Sequence, residues 1–203
     1  ELLIVDGDAG HLYLEPDPLT LERYEGIRDE QRKRKEQLQL LATVDAVTKD
    51  GTFFNLAANM SSVKELDIAL QNGAKGVGLF RTEFLYMDRH SFPTEEEQFE
   101  VYRHVVEKAG QSSVVIRPFE IGGDNQLDYF SLPEEDNPFL GYRAIRICLD
   151  RTELFQTQLA AILRASAFGN VKIMYPMISS VEEIRQANGI LHQAMADLDR
   201  RGI

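Results

Sequence analysis

Two arginines stand where an anion could meet them. Arg81 follows the apolar run 76–80, and Arg117 follows the apolar run 114–116. Such runs predict buried strands, and an arginine that ends a buried strand is costly unless something anionic meets it. Each guanidinium donates two parallel hydrogen bonds to a pair of oxygens. Two of them together therefore suit a phosphate or a carboxylate group.

A structural ion pair is the alternative for each arginine. Glu83 closely follows Arg81, and Glu120 and Asp124 closely follow Arg117. Spacing along the chain leaves both interpretations open, an anion site and internal ion pairs.

Further residues extend the candidate site. Arg143 and Arg146 lie in a helical pattern at a spacing that puts them on one face, so we expect both near the anion site. A surface pair with Asp150 is the alternative for Arg146. Gly122 and Gly123 would let backbone N–H groups approach an anion, although a plain turn is the simpler interpretation.

Alternating strands and helices position these residues. Apolar runs of β type predict strands at 53–59, 76–80, 114–117 and 171–175. Capping boxes predict helices that begin at 62–65, 94–97 and 180–183. A helical pattern at 139–167 breaks near Asp150. In the parallel sheet that such alternation implies, ligands collect at the carboxyl ends of the strands, which here are marked by Asn59, Arg81, Arg117 and Met177.

The alternation predicts an α/β fold, the N-terminal half of a (β/α)₈ TIM-type barrel. Residues 46–203 hold about four βα units, whereas a whole barrel has eight units in about 250 residues. A dinucleotide-binding sheet is disfavoured because no G-x-G-x-x-G motif follows the first strand.

A different organisation precedes the half barrel. Residues 2–15 predict a β-hairpin, which is marginal on its own and so belongs to a further domain. Residues 20–41 predict a linker helix whose middle is polar on every face. The basic residues 32–35 are flanked by Glu30 and Glu36, which favours a solvated face over a nucleic-acid patch. Because the sequence does not begin with Met, we expect it to be part of a longer protein.

The composition is that of a soluble globular protein. The 203 residues carry 22 Lys and Arg against 33 Asp and Glu, a net charge of −11, and 43% are hydrophobic. This balance disfavours nucleic acid and anionic membranes as partners, and no apolar run approaches the roughly 18 to 20 residues of a membrane helix. A cytoplasmic location follows as the default. The single cysteine, Cys148, cannot form an internal disulfide and fits a buried helical thiol.

Four segments closely resemble one family. They are GVGLFRTEFLYMDR at 76–89, FPTEEEQ at 92–98, EDNPFLGYRAIR at 135–146 and RASAFG at 164–169. These runs resemble enzyme I of the bacterial phosphoenolpyruvate:sugar phosphotransferase system, and the resemblance covers essentially the whole chain.

The resemblance implies a phosphoenolpyruvate-protein phosphotransferase, which takes a phosphoryl group onto its own histidine and passes it to the carrier protein HPr. Residues 1–18 would end the swivelling domain that carries the phosphohistidine, and residues 19–45 would form the linker helix. Residues 46–203 would form the first half of the barrel that binds phosphoenolpyruvate and Mg²⁺. A homodimer of the full-length protein is also implied.

The resemblance further implies roles for individual residues. Arg81 and Arg117 match the family's substrate-phosphate arginines, and Arg143 matches a supporting arginine. The family's phosphohistidine, its Mg²⁺ ligands and its HPr-binding domain match no part of this chain. We therefore expect no catalytic residue and no metal ligand here, and no activity from the chain alone.

Departures from the family pattern follow Arg117. Where the family reads Arg-Thr-Leu-Asp-Ile-Gly-Gly-Asp-Lys, this chain has Pro118, Phe119, Glu120 and, in the last place, Asn125. Asn125 removes a positive charge near the expected anion, and Pro118 removes a backbone donor. These changes point to a different affinity or substrate preference.

Two other functions fit the sequence less well. A phosphoenolpyruvate synthase or pyruvate phosphate dikinase belongs to the same superfamily, but the runs quoted above match enzyme I better. A non-catalytic phosphoenolpyruvate-binding regulatory module is the third possibility. The sequence that precedes Glu1 in the full-length protein would separate the three.

Overall fold

The computed structural model describes residues 2–122 and 127–203. Within them the chain divides into two compact units, one up to Asp45 and one from Ala46 onward. The first unit contains β1 (Leu3–Asp6), β2 (His11–Leu14), α1 (Pro18–Gln39) and a 3₁₀ turn (Leu40–Thr43). The predicted hairpin and the predicted helix are both confirmed.

Asp6 organises this first unit. Its carboxylate accepts hydrogen bonds from the backbone N–H groups of Asp8 and Ala9, which closes the turn of the hairpin. The same carboxylate accepts a bond of 2.6 Å from the hydroxyl of Tyr24 on α1. The bonds from Tyr24 and Ala9 hold the pKa of Asp6 below its usual value. One side chain therefore joins the turn to the helix.

Helix α1 begins at a well-formed cap. The carboxylate of Asp17 accepts from the backbone N–H of Thr20, and Pro18 occupies the first turn, where its missing N–H costs nothing. The helix buries no residue along its length. It therefore presents a solvated surface, in keeping with a helix that is polar on every face in its middle.

The second unit is built on a parallel sheet. Its strands are β3 (Ala46–Val47), β4 (Phe53–Phe54), β5 (Ala58–Met60), β6 (Val77–Arg81), β7 (Val114–Arg117) and β8 (Val171–Ile173). Its helices are α2 (Glu65–Gln71), α3 (Glu95–Ala109), α4 (Ile145–Asp150), α5 (Thr152–Ser166) and α6 (Val181–Arg200). Among the described residues, β5, β6, β7 and β8 form one parallel sheet in that order. The α/β prediction is confirmed, and the sheet agrees with part of a TIM-type barrel.

The core joins the sheet to α3 and α5. Phe80 on β6 and Ile116 on β7 are fully buried, as are Tyr102 on α3 and Leu159 on α5. The rings of Phe80 and Tyr102 meet edge to face with centroids 6.4 Å apart. Burying a side chain such as Ile116 stabilises the fold by about 1.5 to 3 kcal/mol. The two strands that end in arginine, β6 and β7, thus pack closely against α3 and α5.

The first predicted strand, 53–59, is divided in the structure. Phe53–Phe54 pairs antiparallel with Ala46–Val47, and only Ala58–Met60 joins the parallel sheet. The hairpin takes the aromatic residues away from the sheet, so the prediction of one continuous strand is wrong. Asn59 consequently lies inside a strand and does not follow one.

The predicted helical segment at 139–144 is also wrong. Helix α4 begins at Ile145, because Ala144 adopts a φ of +52° that an α-helix cannot include. Arg143 therefore precedes the helix that carries Arg146, and the two do not share a helix face. The predicted break near Asp150 is confirmed.

Two of the three predicted capping boxes are present. Those of α3 and α6 are present, with Thr94 and Ser180 as caps. The one predicted at Ser62 is wrong, because α2 begins at Glu65 without a side-chain cap. The Glu65 carboxylate still accepts the backbone N–H of Ser61 at 2.9 Å.

None of the described helices is long and apolar enough to cross a membrane.

The cap of α3 fixes the start of that helix by reciprocal bonds. The Thr94 hydroxyl accepts from the backbone N–H of Glu97 at 3.2 Å, and the Glu97 carboxylate accepts from the backbone N–H of Thr94 at 2.7 Å. The Thr94 N–H and then the Arg89 guanidinium lower the pKa of Glu97 from 4.5 to about 2.

We expect the stability that Glu97 contributes to disappear in acid. A lowered pKa in the fold means that this contribution is complete above pH 4.5 and is lost as the pH falls to about 2. Glu97→Gln should therefore melt below the parent chain at neutral pH, by a margin that narrows below pH 4.5. Thermal unfolding followed by circular dichroism at a series of pH values measures the margin. Glu100→Gln, an exposed change on the same helix, serves as the control, and a margin for Glu97→Gln that does not vary with pH would contradict the expectation.

Candidate functional site

Arg81 and Arg117 lie side by side at one edge of the sheet. Each is the last residue of its strand, β6 or β7, and the two are paired in the parallel register. Neighbouring strands are about 4.8 Å apart, so the two side chains start from adjacent points of the backbone. The structure brings together the two arginines that the sequence singles out, at the end of the sheet where ligands of α/β folds collect.

Two carboxylates share the charge of Arg117. Its guanidinium lies 2.7 Å from Oε1 of Glu83 and also pairs with Glu120. The internal ion pair between Arg117 and Glu120 is therefore confirmed. The pair expected between Glu83 and Arg81 is wrong, because Glu83 turns to the arginine of the neighbouring strand. A pair with Asp124 lies outside the described residues.

Glu83 is buried, so its negative charge is costly to maintain. It begins the 3₁₀ turn (Glu83–Leu85) that follows β6, and only 8% of the residue is exposed. Burial raises the pKa of its carboxyl above the usual value, and a backbone N–H and then the Arg117 guanidinium offset only part of this effect. Arg117 is therefore one of two groups that favour the charged form of Glu83.

Glu120 connects a third arginine to the pair. Its Oε2 contacts Arg117, and its Oε1 lies 3.2 Å from the guanidinium of Arg143. The Arg143 guanidinium also lies over the ring of Phe139, 5.3 Å from the centroid. The resembled family has Asp at this place. The longer side chain of Glu120 meets two arginines, one with each oxygen.

Close packing against Gly122 sets the position of Arg143. The backbone N–H of Ala144 donates to the carbonyl of Ile121 at 3.1 Å, which brings the two segments together. Gly122 has a φ of +115°, and a Cβ there would lie only 2.5 Å from the Cβ of Arg143. The adjacent Gly123 and the departure at Asn125 lie outside the described residues.

Arg81 forms no salt bridge with a described carboxylate, because Glu83 and Glu120 both pair with Arg117. Its effect on Glu65 is small. The pKa of Glu65 is lowered first by the hydrogen bond from Ser61, and the charge of Arg81 contributes least. Arg81 is thus the arginine of the group that is most available to an anion.

All three arginines have a buried donor without an acceptor. Nε of Arg81, Arg117 and Arg143 donates to no group in the described part of the chain. Buried donors are paired in the great majority of cases, and each unmet one costs about 1 to 3 kcal/mol. Unmet donors on three arginines, two of them neighbours and the third joined to them by Glu120, indicate a place where the oxygens of an anion would complete the hydrogen bonding.

Arg146 does not join this site. Its guanidinium donates to the carbonyls of Leu140 and Gly141, so it supports the loop before α4. The expected pair with Asp150 is wrong, because that carboxylate accepts the hydroxyl of Tyr142.

Met177 and Cys148 are two other residues that the sequence singles out. Met177 follows β8 with a φ of +56°. Cys148 is buried, as expected, and burial raises the pKa of its thiol to about 12, so it is a poor nucleophile.

No metal site can be assembled from residues 2–122 and 127–203, since no three His, Cys, Asp or Glu side chains lie together there in a suitable way.

Sequence reasoning missed a set of buried polar side chains directly beneath the arginines. This set, the amide network, consists of Thr82, Tyr86, Gln98, Tyr102 and Gln158, and all of its members are at most 2% exposed. Position along α5 could have revealed Gln158, because it lies among apolar residues at helical spacing on the buried face. Its amide reaches the ends of both arginine strands.

The second unit of the chain matches a known protein family. A sequence profile described as PEP-utilising enzyme, PEP-binding domain matches residues 35–203. The chain therefore belongs to the family of PEP-utilising enzymes, within their PEP-binding domain.

Similar curated proteins carry one name. The chain is 46% identical over 202 residues to the phosphoenolpyruvate-protein phosphotransferase of Staphylococcus carnosus (strain TM300). It is 48% identical over 202 residues to that of Listeria monocytogenes and 47% identical over 203 residues to that of Geobacillus stearothermophilus. Each match covers 100% of this chain, and the chain spans 35% of each relative's length.

Gly122→Ala should displace Arg143 and destabilise the fold. The methyl group would collide with the Arg143 Cβ and would need a left-handed backbone, a strain of about 1 to 3 kcal/mol. Thermal unfolding measures the loss. Gly189→Ala on α6, where a Cβ meets open space, is the matched control and should stabilise the chain by about 0.5 to 1 kcal/mol. Equal melting temperatures for the two variants would show that Gly122 is not required for the packing.

Proposed function

We propose that this chain supplies the phosphate-binding part of a phosphoenolpyruvate-protein phosphotransferase. The observation that carries the proposal is that Nε of Arg81 and Arg117, at one end of the sheet, and Nε of Arg143, which Glu120 joins to Arg117, have no acceptor among the described residues. The names of the relatives, and the family's PEP-binding description, support phosphoenolpyruvate as the anion.

Charge supports an anion of this kind. The site sets three guanidinium groups against the carboxylates of Glu83 and Glu120, which leaves one positive charge in excess. Phosphoenolpyruvate carries a phosphate and a carboxylate, and both groups present paired oxygens that match a guanidinium. In the proposed complex the phosphate oxygens bind Arg81, because no described carboxylate forms a salt bridge with it.

The arginines would act by positioning and by stabilising charge. In the transfer, the bond from phosphorus to the enol oxygen of phosphoenolpyruvate breaks, and a bond from phosphorus to a histidine nitrogen forms. The enolate that leaves takes up a proton and becomes pyruvate. Fixed guanidinium groups lower the barrier by balancing the negative charge on the phosphoryl oxygens.

In our proposal, residues 1–18 end the swivelling domain, residues 19–45 form the linker helix, and residues 46–203 form half of a TIM-type barrel. The phosphohistidine and the other half of the barrel belong to parts of the full-length protein outside this chain. Mg²⁺, held by ligands elsewhere in the full-length protein, would neutralise further charge on the substrate. The acceptor is HPr, the full-length protein is a cytoplasmic homodimer, and the pathway serves sugar transport.

We expect Arg81→Ala and Arg117→Ala, made in the full-length protein, each to weaken phosphoenolpyruvate use by about 2 to 4 kcal/mol, the scale of a lost charge-assisted contact in a transition state. Incorporation of label from ³²P-phosphoenolpyruvate into the protein measures the effect as kcat/KM. Arg185→Ala is the control, since Arg185 is an exposed arginine on α6 that pairs only with Glu182 among described carboxylates. Unchanged autophosphorylation in Arg81→Ala and Arg117→Ala would refute the site.

We also expect the 203-residue chain alone to transfer no phosphate to HPr. The proposal places the phosphohistidine outside it, and its own Cys148 thiol is buried. Incubation of the purified chain with labelled phosphoenolpyruvate and HPr tests this, with the full-length protein as the positive control. Label on HPr in the reaction with the chain alone would contradict the proposed division of labour.

A further inference from the structure

We propose that Gln158 is a positioning residue for the arginine site, an inference that rests on the proposed function. Gln158 lies on α5, is fully buried, and touches neither Arg81 nor Arg117 through their guanidinium groups. It acts on the backbone that carries them.

The Gln158 amide bonds directly to the segments that follow both strands. Its Nε2 donates to the hydroxyl of Thr82 at 3.0 Å, and Thr82 is the residue after Arg81. Its Oε1 accepts the backbone N–H of Phe119 at 2.8 Å, and Phe119 is separated from Arg117 only by Pro118. One side chain thus joins the exits of β6 and β7 to the same point on a helix.

Thr82 closes the connection between the strands. Its hydroxyl donates to the backbone carbonyl of Arg117 at 2.9 Å, across the two strands. A threonine at the start of a helical turn usually caps that turn, but Thr82 forms no such bond. Its proton is directed at Arg117 because the backbone carbonyl can only accept, while the same hydroxyl oxygen accepts from the Gln158 amide.

The direction of every bond in the amide network follows from one backbone group. The Phe119 N–H can only donate, so it must face the Gln158 oxygen, and this leaves the Nε2 donors for the two hydroxyls. The Tyr102 hydroxyl accepts from Nε2 at 2.9 Å and donates to Gln98 at 3.1 Å. The network is fully bonded in one orientation only, which makes it suited to hold a fixed geometry.

Pro118 makes the backbone after Arg117 more dependent on the amide network. The residue has no N–H, so the backbone between Arg117 and Phe119 has one fewer donor with which to hold its position. The carbonyl of Arg117 and the N–H of Phe119, on either side of Pro118, both bond within the amide network. The departure from the family pattern at Pro118 thus increases the reliance on Gln158.

The experiment uses the full-length protein and separates KM from kcat for autophosphorylation by phosphoenolpyruvate. Gln158→Met keeps the length of the side chain and removes its bonds, and Thr82→Val keeps the shape and removes the link to Arg117. Misplaced arginines should raise KM about tenfold or more in both variants and also lower kcat, because the arginines hold the phosphate both before and during the transfer. Ile162→Ala, one turn along the buried face of α5, is the control for lost stability alone. It should lower the melting temperature and leave KM unchanged.

The outcomes distinguish this inference from the proposed function. If the parent protein does not react with phosphoenolpyruvate, the proposed function falls and this inference falls with it. If the parent reacts and KM is unchanged in Gln158→Met and Thr82→Val, this inference alone is overturned. A rise in KM that is equally large in Ile162→Ala also overturns it, because general destabilisation would then explain the effect. Where Gln158→Met fails to fold, Thr82→Val decides.

Discussion

The mutual repulsion of Arg81 and Arg117 is the constraint on which the surrounding structure depends. The parallel register of β6 and β7 places the two side chains at adjacent points. Glu83 and Glu120 supply negative charge from the segments that follow the strands. Both carboxylates pair with Arg117, so the repulsion is relieved unequally. Arg81 is left without a salt bridge to any described carboxylate.

The positions of these arginines could be predicted, whereas their partners could not. Apolar runs identify β6 and β7, and the rule that parallel strands gather ligands at their carboxyl ends then places Arg81 beside Arg117. The salt-bridge partner of Glu83 depends on the direction that the 3₁₀ turn gives its side chain. The residue types in that turn do not predict it. Proximity along the chain therefore pointed to the wrong arginine.

Local propensity explains the errors in the elements. Ala144 is a residue type that favours helices, and its left-handed conformation arises from the contact of its segment with Ile121, distant in sequence. The pair of aromatic residues at Phe53–Phe54 has the pattern of a strand and is one, but its partner is Ala46–Val47. The sequence predicted the type of structure in that region and missed the pairing, because pairing is decided by distant residues.

The amide network also determines how the site responds to its surroundings. Its members are neutral, and burial raises the pKa of both Tyr86 and Tyr102 above the usual value, so none of them ionises near neutral pH. Mobile ions screen interactions between charges and leave buried hydrogen bonds between neutral groups almost unaffected. Rising ionic strength would therefore weaken the long-range attraction between the arginines and an anion without breaking the buried hydrogen bonds of the amide network.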